Sequence, residues 1–235
     1  MAKKFRKLWF FLCSKIRLKE RTHLATTWFF SRIYSKQIIH FIGDSHVSAY
    51  GRGRYFIAHH IGPATAYKLE SLSSTTNSNQ KLFKELGKIN KKRDIAVLVF
   101  GEIDCRMHIY KQFVRHGGTT SIPELVEITI LKYGIVLKKI ETAGYSFFVS
   151  GVVPAATQGN IYDNPYYPDS TTRLTINREF NKQLRSFCTQ KGYRYLDIQS
   201  EFADFSGFIS RNFSTDGLHL NQNAIPKLEK LLGLC

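Results

Sequence analysis

The chain has 235 residues, of which 43% are apolar and 22% charged, as expected for a globular protein with one sizeable core. The formal net charge is +16 at pH 7, and residues 1–36 hold ten Lys/Arg residues against one acidic residue, Glu20. The four cysteines are scattered without a Cys-x-x-Cys pair, which excludes a zinc-type spacing and a dense disulfide framework and favours a reducing compartment. They are Cys13, Cys105, Cys188 and Cys235.

Residues 1–36 form a basic, amphipathic segment that we expect to be separate from a domain at residues 37–235. Its apolar run Leu8–Cys13 is shorter than the roughly 7–15 residues of a secretory signal or the roughly 20 of a spanning helix. We therefore expect a cytoplasmic protein. The mixture of basic and aromatic residues is typical of a helix on an anionic membrane surface. Packing on the domain or on another protein explains it as well, and nucleic acid is the less favoured partner.

From residue 37 onward, strand patterns alternate with helix patterns and turn signals. In chain order, the patterns predict a strand at 37–43, a strand at 55–61, a short helix opened by Pro63, a helix at 80–91, a strand at 94–101, a helix at 123–143, a strand at 145–153, a helix at 172–190, a strand at 193–198 and a helix at 221–232.

This alternation predicts an α/β fold, a three-layer sandwich with a mainly parallel five-stranded sheet and helices on both faces. The unbroken apolar run at 94–101 suits the middle of such a sheet. A loop of about 20 residues follows the fourth strand and carries Tyr162, Tyr166 and Tyr167. Its length makes it a candidate lid or substrate loop.

Polar clusters follow several of the predicted strands, and loops at one end of a parallel sheet meet in space. Ser45 follows the first strand, and Asp216 and His219 lie near the end of the chain. A serine hydroxyl needs a base to remove its proton during attack, and a carboxylate orients that base. We predict Ser45 as nucleophile, His219 as base and Asp216 as the orienting carboxylate. An ordinary turn serine and a helix-capping aspartate are the alternative.

The motifs together resemble the SGNH or GDSL-like hydrolase superfamily. Gly43-Asp44-Ser45-His46 is similar to its first block, and Asp216-Gly217-Leu218-His219 to its last. The resemblance spans roughly residues 37–232 and implies an SGNH or flavodoxin-like fold with a Ser-His-Asp triad and no cofactor. It also implies that the backbone N–H groups of Ser45 and Gly62 bind the oxyanion.

The third block departs from the family pattern. Gly101-Glu102-Ile103-Asp104 stands where the family has Gly-x-Asn-Asp, so Ile103 replaces an asparagine that donates to the oxyanion. Either Arg106 supplies the missing donor or the oxyanion hole is incomplete. Alternatively, Arg106 clamps a substrate carboxylate or phosphate, or belongs to a buried network that braces the loop.

Five residues near the predicted triad are predicted to bind substrate: Asp44, His46, Glu102, Asp104 and Arg106. For Asp44, orienting the turn by bonding backbone N–H groups is the stronger alternative. The histidines do not have the spacing of a zinc motif, so no metal site is predicted. His59 and His60 are adjacent on a strand and point to opposite faces.

These observations predict a serine esterase that hydrolyses or transfers an O-acyl group, and the expected group is acetyl on a carbohydrate. The partners are then a small-molecule or carbohydrate ester and, through residues 1–36, an anionic membrane surface. The alternative is a non-hydrolytic glycan-binding or polysaccharide-biosynthesis protein that uses Glu102, Asp104 and Arg106. A third interpretation treats the domain as a scaffold for the basic segment.

Overall fold

The computed structural model describes residues 37–51, 53–157 and 164–234. The predicted N-terminal segment, residues 1–36, lies outside the described residues, as do Tyr162, Cys13 and Cys235. Within the described residues, no helix has the length and apolar character needed to cross a membrane.

The described strands form one parallel sheet in the order β2-β1-β3-β4-β5. The strands are β1 (Ile39–Gly43), β2 (Phe56–His60), β3 (Ile95–Val99), β4 (Phe147–Ser150) and β5 (Arg194–Leu196). Every residue of β1 and β3 is buried, as their apolar runs predict for central strands. The predicted five-stranded parallel sheet is confirmed.

Helices cover both faces of this sheet. The described α-helices are α1 (Ser78–Leu86), α2 (Ile109–Arg115), α3 (Ile122–Thr142), α4 (Ser170–Lys191), α5 (Ile198–Phe202) and α6 (Ile225–Leu231). Apolar side chains of α1 to α4 form the core on one face, and those of α5 and α6 pack on the other. The predicted three-layer α/β sandwich is therefore confirmed.

Local signals fix where the long helices begin. The Ser121 side chain accepts a hydrogen bond from the Glu124 amide, and the Glu124 carboxylate accepts one from the Ser121 amide. This reciprocal capping box satisfies amides that a helix N-terminus leaves unpaired. Asp169 caps α4 through the amide of Thr172. The two helices accordingly start within two residues of their predicted positions.

The short helix predicted after Pro63 is wrong, because residues 66–70 form turns. The amides of Ala66 and Tyr67 donate to the carboxylate of Asp104, at 2.6 and 3.3 Å, and this side chain fixes the segment in a turn. A helical stretch that was not predicted follows β3, where a π-helical turn at Asp104–His108 leads directly into α2.

The strand order places a topological switch point between β1 and β3, because the chain leaves β1 toward β2 on one side and then continues with β3 on the other. Ligands of open α/β sheets bind in the crevice at such a point, outside the carboxyl ends of the strands. The two strands approach closely there: a Cβ on Gly43 would lie 2.0 Å from the Val99 carbonyl oxygen. Ser45 and Glu102 follow these two strand ends.

Candidate active site

A short 3-10 turn at Ser45–Ala49 presents Ser45 directly after β1. Asp44 caps this turn, because its Oδ1 accepts from the backbone N–H of His46 at 3.0 Å. The Ser45 side chain is exposed, whereas Asp44 is 2% exposed. Asp44 therefore orients the turn that carries the hydroxyl, which is the alternative role expected from the sequence.

The structure brings Ser45, His219 and Asp216 into one chain of hydrogen bonds. Ser45 Oγ lies 3.0 Å from His219 Nε2, and His219 Nδ1 lies 2.7 Å from Asp216 Oδ2. Because a carboxylate only accepts hydrogen bonds, Nδ1 of His219 carries the proton and Nε2 accepts from the Ser45 hydroxyl. This is the tautomer in which a histidine can take a proton from serine.

Asp216 is held by its own loop. Its Oδ1 accepts from the amides of Leu218 and His219, at 2.9 and 2.7 Å. Partial burial raises the pKa of Asp216, but the hydrogen bonds from the His219 ring and from these amides lower it further, so the net pKa lies well below the usual range. Asp216 therefore stays ionised and can stabilise a protonated His219.

Two backbone amides that follow the ends of neighbouring strands have no hydrogen-bond acceptor in the described part of the chain. They belong to Ser45 and to Gly62, which follows β2 and adopts a left-handed conformation at φ +89°. A side chain is strained in this conformation, so glycine suits the position. Both amides remain proposed donors to an oxyanion.

The third block supplies no side-chain donor at Ile103. Arg106 Nε donates instead to Glu102 Oε1 at 2.8 Å, forming an ion pair whose side chains are 22% and 11% exposed. This pair is the bracing arrangement that the sequence analysis left open. Arg106 also lines a cleft beside the triad, so bracing does not exclude contact with substrate.

A buried cluster of Asp44, His46 and Glu102 lies behind the triad. His46 Nδ1 lies 3.0 Å from Asp44 Oδ1, and the His46 ring centroid lies 4.6 Å from that of His219. Burial lowers the pKa of His46, but the charge of Glu102 and the hydrogen bond and charge of Asp44 outweigh it, so the net pKa is raised.

One ligand-type atom from each residue of this cluster lies within 4.8 Å of the others, which is a donor set that a cation could use. His46 already contacts Asp44, and Arg106 already pairs with Glu102, so each carboxylate has a partner within the protein. We assign no metal ion to this cluster. Asp44 and His46, both predicted to bind substrate, are 2% exposed and lie inside the domain rather than in the cleft.

Asp104 was also predicted to bind substrate, but it is fully buried and bonds the amides of Ala66 and Tyr67. The structure therefore places it as a support for the loop after β2. Burial raises its pKa to about 7, against the lowering effect of those backbone hydrogen bonds.

The raised pKa of Asp104 predicts a pH dependence of folding. Between about pH 4 and 7 the folded state binds this proton and the unfolded state releases it, so the free energy of unfolding falls as pH rises. We expect a decrease of about 1–4 kcal/mol, since one pKa unit corresponds to about 1.4 kcal/mol. Asp104→Asn imitates the neutral acid, so its free energy of unfolding should lack this decrease. The variant should nevertheless be less stable by about 1–3 kcal/mol, because it removes a hydrogen-bond acceptor.

Urea unfolding of both proteins at pH 4.5 and 7.5 measures this difference. The free energy of unfolding of wild type should exceed that of Asp104→Asn by less at pH 7.5 than at pH 4.5. Asp204→Asn is the control, because it alters another aspartate that accepts backbone hydrogen bonds, from Ser206 and Phe208. Equal gaps at both pH values would contradict the prediction.

A cleft of about 20 Å³ opens beside the triad, lined by Glu102, Arg106, Arg173, Asn177, Leu218 and residues 153–156. Leu218 immediately precedes His219. Arg173 and Asn177 were not predicted as site residues; both lie on α4 and are 3% exposed. Their signal was present, because they stand four residues apart on the helix face that also buries Leu174 and Phe180.

No protein-family model and no curated protein matches this chain. Its structure is similar to a GDSL-like lipase from Bacteroides thetaiotaomicron, with 12% identity over 85% of this chain and 87% of that chain, and a TM-score of 0.56. The chain has the fold of GDSL-like hydrolases.

Two further solved structures show the same likeness. An alpha/beta hydrolase enzyme from the metagenome of Lake Arreo, Spain, is 15% identical over 84% of this chain and 95% of that chain, with a TM-score of 0.50. A protein from Streptococcus pneumonia is 18% identical over 94% and 97% of the two chains, with a TM-score of 0.52. The fold expected from the sequence motifs is thereby confirmed.

Proposed function

We propose that this protein is a serine esterase that removes or transfers a short O-acyl group by way of an acyl-enzyme on Ser45. The observation that carries the proposal is the continuous hydrogen-bond chain from Ser45 through His219 to Asp216. The GDSL-like fold supports the proposal, since Ser45 follows β1 at the switch point of the sheet, where open α/β sheets bind ligands.

The first half-reaction forms the acyl-enzyme. Ser45 Oγ attacks the ester carbonyl carbon while its proton passes to His219 Nε2, and Asp216 stabilises the resulting imidazolium. The backbone N–H groups of Ser45 and Gly62 donate to the developing oxyanion. When the tetrahedral intermediate collapses, the bond to the alcohol oxygen breaks and His219 returns the proton to that oxygen.

The second half-reaction regenerates the enzyme. His219 takes a proton from water, or from a sugar hydroxyl in the transfer variant, and the oxygen of that molecule attacks the acyl carbon. Collapse of the second intermediate breaks the bond to Ser45 Oγ, which recovers its proton from His219. Two donors rather than three are assigned to the oxyanion, and loss of one such donor typically lowers kcat by about 10²–10³-fold.

The cleft favours a short acyl group on a polar alcohol. The cleft is small, at about 20 Å³, which favours a short acyl group over a long acyl chain. Tyr166, on the loop before α4, offers a partly exposed ring beside Lys111 and Arg115, a surface on which a sugar can stack. Acetyl on a carbohydrate fits both features.

The test is hydrolysis of 4-nitrophenyl acetate together with covalent labelling by a fluorophosphonate. We expect nitrophenol release well above the uncatalysed rate, little release from the octanoate ester, and one phosphonate adduct on the peptide that contains Ser45. An unlabelled Ser45 combined with a background rate of release would contradict the proposal and favour the non-hydrolytic glycan-binding alternative.

A further inference from the structure

We propose that the outer face of α3 is a dimerisation surface, on which a second copy of this chain binds with its own α3 antiparallel to the first. The surface is centred on Ile128, Leu131 and Ile135, here called the α3 stripe, which are 40%, 55% and 46% exposed. Helix α3 contributes no residue to the proposed triad or to the cleft beside it. The inference is therefore independent of the proposed esterase function.

Helix α3 is apolar on two opposite faces. Its inner face packs on the core of the domain through side chains such as Val126 and Leu137. The three residues of the α3 stripe follow one another at spacings of three and four positions, so they share one line on the outer face. A surface helix normally has polar residues on its outer face. Three successive apolar side chains there indicate a face that is covered by another protein surface.

Exposed apolar side chains concentrate at this helix. The α3 stripe holds three of the six large apolar residues that are exposed in the described ranges. A fourth, Leu72, lies two positions after Glu70, whose carboxylate accepts a hydrogen bond from Lys132 of α3 at 2.7 Å. Leu72 therefore lies close to the same helix. This clustering separates the α3 stripe from the single exposed apolar residues that any protein surface carries.

The charges on α3 point to a second copy as the occupant. Glu124 and Glu127 precede the α3 stripe, whereas Lys138 and Lys139 follow it, and all four are exposed. An antiparallel copy brings the acidic end of each helix to the lysine end of the other, whereas a parallel copy would oppose like charges. Lys138 already pairs with Glu141 at 2.8 Å, but an exposed pair of this kind contributes little and can be exchanged.

Helix geometry fixes the register of the two copies. When the two-fold axis passes beside Leu131, this residue meets its own counterpart, and Ile128 of each copy lies opposite Ile135 of the other. On the neighbouring flank of the helix, Glu127 of each copy then lies opposite Lys138 of the other. One arrangement thus joins the apolar residues and the opposite charges at the same time, and each pair occurs twice.

Sedimentation velocity of the full-length protein tests the association. An interface built on one helix is at the small end of the range, so we expect a dissociation constant on the order of micromolar and a mass that doubles with concentration. Leu131→Glu places two like charges at the axis and should stay monomeric. Phe205→Glu is the control, because Phe205 is an exposed apolar residue outside α3 and should associate like wild type. Thermal melts verify that both variants are folded.

Wild type that stays monomeric at the highest concentration would overturn the inference. A dimer that Leu131→Glu leaves intact would also overturn it, because the copies would then associate through another surface, residues 1–36 included.

Charge reversal tests the antiparallel arrangement. Glu127→Lys and Lys138→Glu should each raise the dissociation constant about tenfold, because each places like charges opposite one another twice in the dimer. The double variant restores both pairs with their signs exchanged, so its dissociation constant should return close to that of wild type. A double variant that is as weak as the single variants would contradict the antiparallel arrangement.

Oxidative cross-linking tests the register. Leu131→Cys should form a disulfide-linked dimer, whereas Ile135→Cys should form little, because its two copies lie roughly 10 Å apart along the helices, too far for a disulfide. Both variants also carry Cys13→Ser and Cys235→Ser, and the two remaining native cysteines are buried. Equal cross-linking at both positions, or cross-linking at Ile135→Cys alone, would overturn the proposed arrangement.

Discussion

Replacing Ser45 with alanine is expected to lower kcat for 4-nitrophenyl acetate by about 10⁴-fold or more, without loss of the fold. The Ser45 side chain is exposed and its hydroxyl bonds to His219, so the change removes the proposed nucleophile and little packing. Without the hydroxyl, His219 can only activate water, and catalysis falls to what substrate binding and the oxyanion donors provide. Nitrophenol release and a thermal melt measure the two quantities.

Members of a triad act as a unit, which gives this prediction a second part. His219→Gln should lower kcat about as much as Ser45→Ala, and the double variant should be hardly slower than either single variant. Ser48→Ala is the matched control, because Ser48 is an exposed serine in the same 3-10 turn and should keep wild-type activity. Multiplicative losses in the double variant, or more than a tenth of wild-type activity in Ser45→Ala, would refute the serine mechanism.

Asp216→Asn is expected to lower kcat by about 10⁴-fold although it changes a single atom. Asp216 Oδ2 fixes the Nδ1-protonated tautomer of His219 at a distance of 2.7 Å. An asparagine keeps Oδ1 for the amides of Leu218 and His219 and turns its NH₂ group toward the ring. That group donates to Nδ1, which moves the ring proton to Nε2 and removes the lone pair that accepts from Ser45.

The pH profile distinguishes a wrong tautomer from a disrupted loop. If the loss of activity comes from the wrong tautomer of His219, the activity of Asp216→Asn should recover partly at alkaline pH, where hydroxide takes the place of the general base. Asp204→Asn is the control, because Asp204 also caps two backbone amides and should leave kcat unchanged. Retention of kcat within tenfold of wild type by Asp216→Asn would remove the carboxylate from the mechanism.

The elements that the sequence predicted well are those determined by neighbouring residues. The strand that ends at Gly43 and the Asp216-x-x-His219 spacing both depend on local patterns, and the structure forms the expected strand and the expected hydrogen bond. The start of α3 follows from its capping box. The outer limits of the strands differ by one to three residues, because the ends of a sheet depend on which neighbours are present to pair.

The elements that the sequence did not predict depend on distant residues. The turn at 66–70 exists because the Asp104 carboxylate, 37 or 38 positions later, takes two of its amides. In the sequence, Arg173 is one more polar residue of a predicted helix. It becomes part of a cleft wall only because α4 approaches residues 153–156. Local propensity carries no information about such tertiary partners.

The long separation along the chain between the two ends of the proposed triad ties the proposed catalysis to a late stage of folding. Ser45 and His219 are 174 positions apart, and a second contact, Gln222 Nε2 to the Ala49 carbonyl oxygen at 3.0 Å, joins nearly the same regions. Contacts this distant along a chain form late, because they must close a large loop. A nascent chain that ends before residue 214 already contains all five strands but has neither the proposed base nor its aspartate. The proposed hydrolysis would therefore begin only after residues 216–219 have been made and have docked beside Ser45.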